Sequence, residues 1–179
     1  ALASNTSGIE NTATGFGALR YNSTGSQNSA FGRGAMNQNT TGAQNTAVGT
    51  NALYNNTGGN NNTASGYGSL FTNTTGGNNT AYGWSSLYFN TTGANNTATG
   101  LNAMRLNTTG GNNTANGYAV LYSNTIGNNN TASGYNSMYA NTTGGRNAAY
   151  GFQSLYSNTT GQYNTAIGDT AMGHGGTIA

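Results

Sequence analysis

The sequence predicts a repeat solenoid, mainly β, of ten 17-residue coils. Three observations carry this. A 17-residue unit recurs without insertion or deletion, opening at Asn11, Asn28, Asn45, Asn62, Asn79, Asn96, Asn113, Asn130, Asn147 and Asn164. Its consensus, N-T-A-x-G-x-x-[AS]-[LM]-Y-x-N-T-T-G-x-N, holds Asn, Ala and Gly at columns 1, 3 and 5 in all ten copies, and Leu or Met at column 9 in all ten. The chain has 3% charged residues, 30 Gly, no Pro and no Cys, yet carries 12 Tyr, 5 Phe and 1 Trp. Disordered chains usually carry charge and few aromatics. Fixed-period self-similarity marks stacked structural units that share one core. The organisation is a partial opening repeat over 1–10, the solenoid over 11–172 and a degenerate closing segment over 173–179.

Each element of the coil follows from its columns. Invariance at columns 1, 3 and 5 has the period of two of a short strand packed on one face. Columns 5, 8, 9 and 12 have the i, i+3, i+4, i+7 spacing of a helical face. Neighbours on a strand point to opposite faces, so columns 8 and 9 cannot both point inward from one. The reading is therefore a strand, then a helical or 3₁₀ turn, with N-T-T-G as the return corner. The rival is a second short strand with a bulge at columns 8 and 9. Asn at columns 1 and 12 is placed to form ladders along the rod, hydrogen-bonding at a coil spacing of about 4.8 Å. Ten coils then give a rod of about 48 Å. Gly at columns 5 and 15 suits corners. The absence of Pro keeps every ladder donor.

The predicted core is lean, with one Leu or Met and two small residues per coil. Burying a Leu contributes about 1.5–3 kcal/mol, against about 1–2 kcal/mol to order each residue's backbone. This balance points to several chains packed about a common axis. At the start, Asn5-Thr6-Ser7-Gly8 matches columns 12–15, and at the finish Gly173-His174-Gly175-Gly176 breaks the pattern. Neither end reads as a polar cap, which predicts a longer parent protein or ends covered by other subunits.

Composition narrows function. Arg20, Arg33, Arg105 and Arg146 are the only basic residues besides a single His, and they are scattered. Nucleic-acid binding needs a clustered basic face, so none is expected. No apolar run approaches the roughly 20 residues of a membrane span, so no membrane insertion is expected. Glu10, Asp169 and His174 are the only acid/base candidates, and the two carboxylates lie nine repeats apart. A catalytic carboxylate pair sits within about 5–9.5 Å. One His is no metal site. No enzyme activity, metal or cofactor is expected.

The aromatics hold more chemistry. Columns 6 and 10 pair as Tyr67/Phe71, Trp84/Tyr88, Tyr118/Tyr122, Tyr135/Tyr139 and Phe152/Tyr156. Pairs at i, i+4 share one side of a helical turn. The leading reading is that these rings pack between chains or onto the neighbouring coil. The sharper one is an exposed platform for stacking sugars. Assembly lost in Trp84→Ala favours the first; intact assembly with lost glycan binding favours the second. Thr columns 2, 13 and 14 form rows along the rod, a pattern suited to binding ice. Asn73-Thr74-Thr75 and Asn90-Thr91-Thr92 match the N-glycan acceptor pattern, which an Asn/Thr repeat generates by itself.

The box in Asn45-Thr46-Ala47-Val48-Gly49 and Asn164-Thr165-Ala166-Ile167-Gly168 resembles the S-V-A-x-G box of trimeric autotransporter adhesin heads. The array over 5–172 is similar to N-T-A-x-G repeats of phage tail fibres and related bacterial surface fibres. The resemblance implies a homotrimeric β-solenoid shaft or head that binds cell surfaces and sits outside the cell, on the cell surface or on a virion. Its partners would be copies of itself and a cell-surface glycan or protein receptor. An ice-binding solenoid and a filament subunit polymerising end to end are the alternatives.

Overall fold

The structure is a computed structural model and describes residues 1–173. His174 and the rest of the closing segment lie outside the described residues. Ten three-residue strands occupy columns 2–4: β1 (Thr12–Thr14), β2 (Ser29–Phe31), β3 (Thr46–Val48), β4 (Thr63–Ser65), β5 (Thr80–Tyr82), β6 (Thr97–Thr99), β7 (Thr114–Asn116), β8 (Thr131–Ser133), β9 (Ala148–Tyr150) and β10 (Thr165–Ile167). They form one parallel sheet in chain order. Its register is one repeat throughout, as in Ala13 beside Ala30 and Ala30 beside Ala47. The chain is thus a parallel β-solenoid whose coil is the sequence repeat.

The expected helical turn is absent: the described residues contain no helix. The bulged second strand is not what replaces it. Column 8 donates to the column-5 carbonyl three residues back (Ala18 N to Gly15 O, 3.3 Å). Column 9 then takes positive φ in every coil, from 47° at Leu19 to 53° at Leu53 and Met172. Its N–H turns away from its own coil and donates to the next, as Leu19 N does to Ala35 O at 3.0 Å. A helix needs successive right-handed residues, so a left-handed residue here ends it. The change of sign also removes the conflict between columns 8 and 9, since strand alternation no longer applies and both point inward. It explains why column 9 is Leu or Met and never Val or Ile: a β-branched side chain is a severe outlier at positive φ. Columns 7 and 17 are left-handed too, as at Asn102 (φ 59°) and Asn95 (φ 59°). Asn is the non-Gly residue that tolerates this best, which accounts for its frequency there.

Backbone bonds join the coils at several columns and in both directions. Thr12 N donates forward to Asn28 O at 2.8 Å, while Gly32 N donates back to Thr14 O at 2.8 Å. Two buried asparagine ladders run the length of the rod. At column 1, Asn28 N and Nδ2 donate to Asn11 Oδ1 at 3.0 and 3.2 Å. At column 12, Asn39 Nδ2 donates to Asn22 Oδ1 at 2.7 Å. Both ladders also converge on the column-15 glycine, where Asn28 and Asn39 donate to Gly42 O at 2.8 and 2.9 Å. A Cβ on Gly42 would crowd the Asn39 and Asn56 side chains and the Gly59 carbonyl, so only Gly fits. The ladder thus dictates the glycine.

Ala at column 3, Ala, Ser or Val at column 8 and Leu or Met at column 9 fill the interior, and Leu53, Leu87 and Leu121 are fully buried. The chain's own coils supply this burial. The lean core therefore does not by itself require a second chain, and the case for assembly passes to the outer surface. The solenoid also starts earlier than Asn5. Leu2 occupies column 9 (φ 51°) and donates to Ala18 O at 3.1 Å, as Leu19 does to Ala35. The Ala1-Leu2 pair carried that signal.

Candidate functional site

The aromatic side chains of columns 6 and 10 leave the coil on the same side, with column 7 as a floor between them. As the leading sequence reading expected, they pack onto the neighbouring coil: rings of one column stack on the same column of the next. In column 10, Tyr54 stacks on Phe71 (5.3 Å between centroids), Phe71 on Tyr88 (5.0 Å), Tyr122 on Tyr139 (5.0 Å) and Tyr139 on Tyr156 (5.4 Å). Arg105 spans the gap. Its guanidinium lies 5.7 Å from the Tyr88 ring centre, and its Nη1 donates to Tyr122 Oη at 3.0 Å. Cation–π contact lets a planar guanidinium take a ring's place. In column 6, Tyr67 stacks on Trp84 at 6.0 Å, Tyr118 on Tyr135 at 5.0 Å and Tyr135 on Phe152 at 5.4 Å.

The stacking changes what these rings offer. Phe71, Tyr135 and Tyr139 each have a ring neighbour on both faces. A sugar cannot lie flat on such a ring, so the expected stacking platform does not exist at these positions. What faces outward is ring edges and phenol hydroxyls. Column 6 is about half exposed (Tyr67 50%, Trp84 47%), and column 10 is half-buried. Burial, then the neighbouring Tyr122, Tyr156 and Tyr118, holds the Tyr139 phenol above its ordinary range.

Over coils 6 to 9 the two columns wall a groove of about 300 Å³. Its floor is Asn102, Ala119 and Asn136. Asn102 Oδ1 and Asn136 Oδ1 are buried and have no hydrogen-bond partner, as is Arg105 Nε beside them. Buried polar atoms are normally satisfied, and these oxygens are closed off beneath the groove floor rather than open to it.

The other predicted residues sort clearly. The column-1 asparagines Asn11 to Asn164 form the expected ladder and are not surface sites. Asn73 and Asn90, of the two acceptor triplets, are fully buried in the second ladder, out of reach of glycan attachment in the folded rod. Column-13 hydroxyls donate to the next coil's carbonyl, as Thr40 Oγ1 does to Thr57 O at 2.7 Å. Columns 2 and 14 face outward. Glu10 accepts from Gln27 Nε2 at 2.9 Å, and Asp169 is exposed in the last coil. Among the described residues no three His, Cys, Asp or Glu side chains cluster to hold a metal, and no helix is long and apolar enough to cross a membrane. Comparison with protein-family models, curated proteins and solved structures finds no match.

Proposed function

We propose that the chain is a non-catalytic, adhesive shaft segment of a fibre outside the cell, on a cell surface or on a virion, assembled from copies of itself, with the trimer as the state that the adhesin-like box favours. The observation that carries this reading is the outer face of the sheet. Column 4 places Phe31, Val48, Tyr82, Tyr150 and Ile167 on it, all exposed. Phe31 lies beside Val48 and Tyr150 beside Ile167, with Ser65, Thr99, Asn116 and Ser133 between the apolar stretches; contiguous exposed apolar groups are what mark an interaction surface. Six Asp, Glu, Lys and Arg residues in 179 leave little charge to oppose contact between copies. A rod that repeats one surface at every coil also binds a repetitive partner through many weak contacts at once.

Light scattering on the native protein, with negative-stain imaging, tests this. A discrete species near three times 18.1 kDa is expected, falling to a monomer in Tyr82→Lys/Tyr150→Lys. A monomer at high concentration overturns the self-assembly reading, and long threads replace the trimer with end-to-end polymerisation. Ice binding ranks lower. Its Thr-x-Thr pair is complete only at Thr12/Thr14 and Thr97/Thr99, because column 4 holds other residues elsewhere.

A further inference from the structure

We infer that the groove over coils 1 to 3 is a binding site for an acidic saccharide, a sugar bearing a carboxylate or a sulfate, whose oxyanion sits between Arg20 and Arg33. This names a ligand class for the adhesive role proposed above and rests on that reading only for its context. Arg20 stands on column 10 of coil 1 and Arg33 on column 6 of coil 2, so the two line opposite walls of one pocket of about 420 Å³. Their offset along the rod is one coil, about 4.8 Å. Both side chains are exposed, so a ligand reaches them from solvent. Arg20 lies over the Tyr21 ring at 5.2 Å, and among the described residues neither guanidinium has a hydrogen-bond or ion-pair partner, and no Asp or Glu lines the pocket. The other two arginines are already engaged: Arg105 donates to Tyr122 Oη and Arg146 to Tyr163 Oη, each in the next coil. A guanidinium presents a planar fork of N–H donors that fits two oxygens of one oxyanion. The rest of the pocket suits the sugar that carries the charge. Gly17 and Gly34 form its floor and put no side chain into the groove. Asn51 follows on the same column, half-buried between Gly34 and Gly68, and its amide is not sealed as the oxygens of Asn102 and Asn136 are. Gln38 Nε2 donates to Asn37 Oδ1 at 2.8 Å, which leaves Gln38 Oε1 to accept. Sugar hydroxyls both donate and accept, and neutral amides offer them both partners. Tyr54, stacked on one side only by Phe71, supplies an apolar wall for the C–H face of the ring.

Titration of the ¹⁵N-labelled whole protein, followed through the guanidinium Nε–H resonances of its 4 arginines, tests the site. The probes are galacturonic acid, N-acetylneuraminic acid and galactose 6-sulfate, with galactose and inorganic sulfate as comparisons. At least one acidic sugar is expected to move the Arg20 and Arg33 resonances and leave that of Arg146 in place, and galactose to move none. Which acidic sugar binds assigns the charge to a carboxylate or a sulfate. Arg20→Gln and Arg33→Gln are each expected to weaken binding about tenfold to a hundredfold, the effect of one charge-assisted hydrogen bond, and Arg146→Gln to leave it unchanged. Rising salt is expected to weaken it as well. No shift with any acidic sugar, equal binding of galactose, inorganic sulfate bound as tightly as the acidic sugars, or unchanged affinity in the double Arg20→Gln/Arg33→Gln variant overturns the proposal. Circular dichroism of each variant separates unfolding from loss of the site. Failure here with the native mass still a trimer leaves the fibre reading standing; a monomer that binds the acidic sugar does the reverse.

Discussion

Replacing Asn90 by Ala tests whether the buried amide ladder, more than apolar burial, holds the coils in register. Asn90 Nδ2 donates to Asn73 Oδ1 at 2.8 Å and to Gly93 O at 2.9 Å, and Asn90 Oδ1 accepts from Asn107 Nδ2 at 2.7 Å. Two of the three partners keep another bond: Gly93 O still accepts from Asn79, and Asn107 still donates to Gly110. Asn73 Oδ1 loses its donor and stays buried. A net hydrogen bond contributes about 0.5–1.5 kcal/mol, and a buried acceptor left without a partner costs about 1–3 kcal/mol. The expected loss is therefore about 2–4 kcal/mol, most of it from that stranded oxygen. Thr92→Ala, two residues on and exposed, is the control and is expected to change stability by under about 0.5 kcal/mol. Urea unfolding followed by circular dichroism gives the global value. Fluorescence of Trp84, the only tryptophan, reports from the same coil. A loss in Asn90→Ala within 0.5 kcal/mol of the control's, an estimate at the scale of an ordinary surface change, would refute the ladder argument.

Other outcomes follow from the same geometry. Gly100→Ala is expected to cost about 3 kcal/mol or more, because φ there is 130° and a Cβ would overlap the Gly117 carbonyl. Gly77→Ala is expected to change stability by under about 1 kcal/mol, since its φ is not left-handed and Ala43 and Ala94 hold the same column, while the new Cβ would sit 3.1 Å from Asn60 O; paired melts check both. Folding favours the neutral Tyr139 phenol, so its contribution is intact below the ordinary value of 10.0 and falls as pH rises through and above it; urea midpoints from pH 7 to 11 should show the fall, and Tyr139→Phe should lessen it. Thermal hysteresis is expected to be absent at high protein concentration, because column 4 interrupts the threonine pairs; clear hysteresis would restore the ice-binding alternative.

The features legible in the sequence were those that every coil repeats. Columns 1, 3 and 5 gave the strand, since identical residues one repeat apart become neighbours in space. Asn at columns 1 and 12 gave the ladders, because a stacked amide can both donate and accept along the axis. The turn over columns 6–11 was misread because spacing alone does not carry the sign of φ. The exclusion of Val and Ile from column 9 was the available clue, and the Asn-rich column 17 was another. The aromatic columns share a side as read, and their ring contacts run along the rod. In a solenoid the neighbour that matters is one repeat away, so Tyr135 meets Tyr118 and Phe152, not Tyr139. Arg105 looked like a stray charge in the sequence; only the stack of Tyr88 and Tyr122 on either side reveals it as a link in the column. The groove floor was invisible for a similar reason, because column 7 varies from coil to coil and its unpartnered oxygens exist only in three dimensions.

The perpendicular set of the strands against the rod axis has a mechanical consequence. Each coil folds 17 residues, about 58 Å of extended chain at about 3.4 Å per residue, into about 4.8 Å of rod. Tension applied to the two ends loads the bonds between coils one layer at a time, as in opening a zip, instead of shearing them all together. Such a solenoid is expected to yield in steps of about 53 Å, one coil per step, and to lengthen roughly twelvefold before the chain is taut. In a single-molecule pulling trace the expected outcome is a regular sawtooth at low force, one tooth per coil.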